Sequence, residues 1–219
     1  ESLIKACDIE RSDRVRTVVK VEGVHTDGRR EWLPFVVRLY FYQGSEQVKM
    51  VHTLLYDGDA EKDFISGLGV RFDVPLRDEV YNRHVAFTNI EGGVWSEPVQ
   101  PLVGRRVLSL NRQDMQQVQM RGERVPSLEN FNGQGQTLIR EWAAWDGYRL
   151  SQLTADAFSV RKRATDDSPW IGTLSDHRGS GLAFIGDTQG GLAACLHEFW
   201  QSYPSTLEIN GARSPMASL

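Results

Sequence analysis

A period of two in hydrophobicity governs the first half of the chain, and that period suits extended backbone with one face turned to a core. Over residues 15–25, Val15, Thr17, Val19, Val21, Gly23 and His25 fall on one side, with Arg16, Val18, Lys20, Glu22 and Val24 on the other. Residues 34–42 alternate more sharply. Phe35, Val37, Leu39 and Phe41 share one face; Val36, Arg38, Tyr40 and Tyr42 share the other. Gln43-Gly44-Ser45-Glu46 predicts a hairpin turn, with a return strand over 47–56. Leu68, Val70, Phe72, Val74 and Leu76 predict a further strand, and Pro75 marks its end or a sheet edge. Short strands are predicted again over 148–153, 157–163, 181–185, 191–199 and 205–210. Residues 107–147 are irregular; within them, 138–145 read either as a short helix or as a strand before the Asp146-Gly147 turn.

Many short strands separated by turn signals predict an all-β fold, a large antiparallel two-sheet β-sandwich. The reading is of one domain over 1–219, excised from a longer chain. An apolar fraction of 40% excludes a disordered chain. A net charge of −4 argues against nucleic-acid binding through bulk charge, and no apolar run is long enough for a membrane span. Cys7 and Cys195 make no metal spacing and are expected to be two unrelated buried thiols. No pair of the five histidines has ligand spacing, so neither metal nor cofactor is expected.

Three sets of residues could carry chemistry. Arg38, Tyr40 and Tyr42 form a row on one strand face, suited to pairing a carboxylate and stacking on pyranose rings. If the turn sets Tyr42 opposite Val48, His52 joins Arg38; a one-residue slip replaces it with Val51. His52 interrupts an apolar run and needs a partner there, while His25 sits at a strand end. Trp95 lies in a stretch bounded by Gly and Pro that reads as a loop, and Trp170 follows a proline in a polar stretch. Arg161 and Arg163 fall on one face and Lys162 on the other, which reads as a solvated edge. Adjacent Ser175, Asp176 and His177 do not make a triad, which requires spatial grouping.

Several segments together resemble a known family. They are Val-Glu-Gly-Val-His at 21–25, Arg-Leu-Tyr-Phe-Tyr-Gln-Gly-Ser at 38–45 and Val-His-Thr-Leu-Leu-Tyr-Asp-Gly-Asp at 51–59. Others are Gly-Val-Trp-Ser-Glu-Pro-Val-Gln-Pro-Leu at 93–102, Gly-Gly-Leu-Ala at 190–193 and Phe-Trp-Gln-Ser-Tyr-Pro at 199–204. The chain resembles the middle, catalytic domain of the exo-acting rhamnogalacturonan lyases, polysaccharide lyase family 26. The resemblance implies a galactose-mutarotase-like supersandwich, flanked by a small β-barrel-like domain and an α/α-toroid domain, and a secreted or periplasmic protein. Its partners would be pectic oligosaccharide or polysaccharide and those flanking domains.

It also implies β-elimination at the rhamnose–galacturonate bond from a chain end. That reaction needs a neutralised carboxylate, a base at C5 and an acid at the leaving oxygen. On these demands Arg38 would neutralise, His52 or His25 would be the base, and Tyr40 would be the acid. Tyr42, Trp95, Trp170 and Arg71 would bind sugar. Competing expectations are a non-catalytic glycan-binding module, and an epimerase or hydrolase using Glu22, Asp57 or Glu97.

Overall fold

The alternating segments pair as antiparallel strands throughout. The computed structural model describes residues 1–212 and 216–219, and it divides into two units, Glu1–Gly69 and Val70–Leu219. The first unit is a four-stranded meander of β1 (Ser2–Ser12), β2 (Arg16–Thr26), β3 (Glu31–Tyr42) and β4 (Val48–Leu54) in chain order. Strand β1 escapes sequence reading because register shifts at Ile4/Ala6 and Ile9/Arg11 break its alternation. Gly23 is required where it stands. A Cβ there would lie 2.4 Å from both the Leu3 carbonyl oxygen and Phe35 Cζ, so only glycine lets β1 close and the Phe35 ring bury. The turn after β3 carries Gly44 at φ +75°, a left-handed conformation that costs glycine nothing.

In the second unit, a six-stranded sheet has the order β12-β11-β10-β15-β16-β5. Its strands are β5 (Asp73–Pro75), β10 (Gly147–Thr154), β11 (Ala157–Arg163), β12 (Ile171–Asp176), β15 (Ser205–Asn210) and β16 (Met216–Ser218). A four-stranded sheet has the order β14-β13-β6-β7, from β6 (His84–Asn89), β7 (Val94–Pro98), β13 (Gly179–Asp187) and β14 (Gly190–Cys195). Tyr148, Leu150, Phe158, Val160 and Ile209 from the first meet Val85, Phe87, Ala183 and Ile185 from the second in one core. The unit is thus a β-sandwich, and the all-β reading holds.

Between β7 and β10 lie a ribbon of β8 (Ser109–Leu110) and β9 (Gln113–Asp114) and two helices, α1 (Met115–Met120) and α2 (Gly133–Glu141). Asp114 and Asn132 cap the helices, their side chains accepting from Gln116 N and Gly135 N. Met115, Val118, Phe131 and Ile139 pack with Tyr81 and Leu102 in a second small core.

Three expectations are corrected. The strand foreseen from Leu68 shrinks to Asp73–Pro75, because Leu68 and Val70 are exposed; Pro75 does close a sheet edge. Trp95 is on a strand, not a loop. Both cysteines are free, as expected, but exposed rather than buried. No helix among the described residues is long and apolar enough to cross a membrane.

A polar node centred on Asp78 is buried in the second unit. Asp78, with its side chain 1% exposed, accepts from Glu79 N, Asn82 Nδ2, Thr188 Oγ1 and the Arg124 guanidinium. Burial opposes its charge, yet the Arg124 and Thr188 hydrogen bonds outweigh it and hold the carboxyl well below its ordinary range.

Candidate functional site

Register decides the fate of the first set. Arg38 pairs with Val51 and Val37 with His52 across β3–β4, so the slipped pairing is the observed one. Arg38, Tyr40 and Tyr42 therefore keep one face, while His52 joins Phe35 on the other. Its ring stacks 6.0 Å from Phe35, and the His25 ring lies 5.1 Å from Phe35. The expectation that Arg38 and His52 share a face is overturned. Burial first, then the neighbouring His25 charge, lowers the His52 pKa. His25 Nδ1 is 3.0 Å from Ser2 Oγ.

Arg38 is also engaged. It donates two hydrogen bonds to the Glu10 carboxylate, at 2.8 and 2.9 Å, and this two-pronged geometry leaves little of the guanidinium for a substrate carboxylate. Glu10 sits at the β1 bulge, which sequence alternation had hidden. Lys49 Nζ lies 5.8 Å from the centre of the Tyr40 ring. The carboxylates considered for hydrolysis are tied up as well. Asp57 accepts from Leu33 N at 2.6 Å, Glu22 pairs with Lys20 at 3.2 Å, and Glu97 takes both contacts of Lys162 at 2.8 Å.

A different cluster forms on the outer face of the large sheet in the second unit. Across β10–β11, Arg149 stands opposite Arg161 and Gly147 opposite Arg163. Trp170 lies over Gly147, where a Cβ would come 3.3 Å from the indole and 2.9 Å from Arg163 Cγ. The absence of that Cβ lets Arg149 Cζ sit 4.4 Å and Arg163 Cζ 4.7 Å from the Trp170 ring centre. Trp170 therefore organises two guanidiniums rather than offering a bare stacking face. Glu208, opposite Arg149 on β15, lies 2.7 Å from it, and Asp166 pairs with Arg163. Arg161 is exposed and has no ion-pair partner among the described residues.

Like charges directly opposed across a ladder destabilise it, so three arginines on neighbouring positions exceed what a solvated edge needs. Chemically, the arrangement can hold a carboxylate or another planar anion. The sequence signal was the Arg161, Arg163 spacing; Arg149 and Gly147 join only through the β10–β11 register. Arg71 does not contribute. It precedes the edge strand β5, three strands from β10, and pairs with Asp73 at 2.8 Å.

Trp95 occupies a third place, between the two sheets. Its ring stacks 5.9 Å from Phe87 and tilts against Tyr148 at 6.0 Å. Burial first, then the charge of Glu97, holds the Tyr148 hydroxyl above its usual range. Among the described residues no group of three His, Cys, Asp or Glu side chains converges on a metal position.

A family model described as "PcRGLX-like protein central beta sandwich domain" matches residues 1–219. The chain is 39% identical to "Uncharacterized protein YetA" of Bacillus subtilis (strain 168), over 96% of this chain and 24% of that protein. It thus spans about a quarter of the length of that curated relative. The sandwich core agrees with that description, and the match runs along the whole sequence: the chain belongs to the PcRGLX-like, rhamnogalacturonan lyase-like family, as its central β-sandwich domain.

Proposed function

We propose that this chain is the glycan-engaging sandwich of a polysaccharide lyase that cleaves the rhamnose–galacturonate bond of rhamnogalacturonan I by β-elimination from a chain end. The observation that carries the reading is the patch formed by Arg149 and Arg163 against Trp170, each paired with an acid, and by Arg161 opposite Arg149, which has no ion-pair partner among the described residues and is the cation left to meet a carboxylate. In this reading the patch takes the galacturonate carboxylate. Neutralising that charge is what makes the C5 proton acidic enough to remove, because the enolate-like intermediate otherwise gathers two negative charges. Arginine stays protonated throughout the working range, so these residues bind and activate but remove no proton. The base and acid are therefore other groups. His25 or His52, foreseen as base, and Tyr40, foreseen as acid, lie on opposite faces of the first unit's sheet and so do not serve one sugar ring together.

A non-catalytic glycan-binding module is the second reading. It is favoured by one observation, that Arg38 is spent on Glu10 and so does not neutralise a substrate carboxylate beside Tyr40. The two readings separate on Arg161→Gln. An exposed charge pair contributes at most about 1 kcal/mol, so affinity for a galacturonate-containing oligosaccharide should fall up to roughly fivefold. The loss should shrink as salt is raised. Titration calorimetry measures it, and unchanged affinity refutes the patch. In a protein carrying this chain, the ultraviolet absorbance of the 4,5-unsaturated product follows turnover. A fall in turnover at saturating substrate supports the lyase; a loss that saturation fully restores supports the binding module.

A further inference from the structure

The second unit contains a cavity of about 240 Å³ at the open edge between its two sheets. Its walls are chiefly apolar, from Phe87, Trp95, Phe158 and Leu174, and its polar groups include Asn89 and Asp176. We propose that this cavity is a subsite for a single neutral, hydroxyl-bearing pyranose with a strongly apolar face, of the deoxyhexose class, distinct from the arginine patch that takes the uronate. The choice of a sugar as ligand rests on the glycan reading above; the preference for a neutral one rests on the cavity itself.

Pockets for drug-sized ligands run from roughly 300 to 1,000 Å³, so this one takes one ring and not an oligosaccharide. Aromatic and aliphatic walls match the C–H face of a pyranose and, better still, a ring bearing a methyl group in place of a hydroxymethyl. Trp95 is held for this by its contacts with Phe87 and Tyr148, so binding need not order it.

The polar end is built with equal care. Asn89, the last residue of β6, accepts through Oδ1 from Gly93 N at 2.7 Å and Glu91 N at 3.1 Å, and this turn fixes its side chain. Gly93 is needed for the turn, since a Cβ there would lie 2.8 Å from Asn89 Nδ2. That nitrogen donates to Asp176 Oδ2 at 2.8 Å, and His177 N donates to Asp176 Oδ1 at 2.8 Å. Those two bonds lower the Asp176 pKa and keep it ionised. Each carboxylate oxygen retains acceptor capacity, which suits two neighbouring hydroxyls. An ionised acceptor repels a second carboxylate, so a uronate is excluded where a neutral sugar is welcomed.

The test follows the indole N–H signals of the protein by two-dimensional NMR, with Trp95→Phe and Trp170→Phe assigning two of them. Methyl α-L-rhamnoside and galacturonate are titrated separately. The expected result is a saturable shift of the Trp95 signal by the rhamnoside only, weakened roughly tenfold by Asp176→Asn, which removes charge without changing shape. No saturable shift at Trp95, an affinity unaltered by Asp176→Asn, or an equal response to galacturonate would overturn the proposal. The Trp170 signal reports the arginine patch in the same spectra. Failure of the patch leaves Trp95 responding to rhamnoside, and failure of the cavity leaves Trp170 responding to galacturonate.

Discussion

Asp78 gives the most quantitative check on how the second unit is held together. Its carboxylate is almost fully buried and accepts from the Arg124 guanidinium at 2.8 and 3.2 Å, from Asn82 Nδ2 at 3.1 Å and from Glu79 N at 2.9 Å. Asp78→Asn keeps the shape but turns an amide N–H₂ toward donors. Breaking a buried charge pair costs about 3–5 kcal/mol, and the low end applies because Arg124, 55% exposed, can rehydrate. For a chain of this length, about 3 kcal/mol lowers Tm by roughly 6–12 °C.

The pH dependence has a definite sign. The folded pKa lies below the unfolded value of about 3.9, so the stabilisation is complete above that value and is lost as pH falls toward the folded pKa. At pH 3, about 0.9 units below the unfolded pKa, roughly 1.2 kcal/mol of it has gone. Urea unfolding of wild type and variant at pH 7 and pH 3, followed by near-ultraviolet circular dichroism, measures both quantities. Other carboxylates titrate alike in the two proteins and cancel in the difference. A variant within about 1 kcal/mol of wild type at pH 7, or a gap that does not narrow at pH 3, refutes the account.

Two glycine positions test the packing on which the rest depends. Gly147→Ala places a methyl group against Arg163 and Trp170, both able to shift, so stability should change by less than about 1 kcal/mol while galacturonate affinity falls several-fold. An unmoved Trp170 indole signal and unchanged affinity would show that the patch does not depend on that close approach. Gly23→Ala drives a methyl group into the Leu3 carbonyl and the Phe35 ring, costing about 1–3 kcal/mol. Hydrogen exchange should quicken in β1–β3 with β10 and β13 unaffected; uniform protection would contradict the close approach of those strands.

The strands were legible where alternation ran unbroken. β2, β3 and β4 in the first unit, and β10, β11 and β15 in the second, fall where short extended runs predict them, and on β3 the alternation correctly separates Phe35 and Val37 from Arg38 and Tyr40. Strand β1 was not legible because two bulges shift its period, and β7 was not because glycine and proline at its ends resemble loop punctuation. The site was less legible than the fold for a related reason. Period two says which residues share a face of one strand, but a site spans strands, and register sets what stands beside what. The single-residue slip at β3–β4 exchanged Val51 for His52 opposite Arg38, and with it the proposed catalytic pair. Likewise Arg149 and Arg161 are 12 positions apart in sequence and become neighbours only through β10–β11 pairing.

Strand β11 shows how one period-two segment can serve two kinds of recognition. Phe158 and Val160 point inward and line the cavity; Arg161 lies opposite Arg149 and Arg163 opposite Gly147 on the outer surface. The inner positions offer apolar surface to a neutral ring, and the outer positions offer charge to an anion. A polymer that alternates neutral and acidic sugars presents both chemistries in turn. The net charge of −4 does not oppose this, because local placement of arginine, not the sum over the chain, sets the field that an anion meets. The cost of opposing Arg149 and Arg161 across a ladder is only partly offset by Glu208 and Asp166, so an anion bound beside Arg161, in the proposed reading a uronate, would complete the offset.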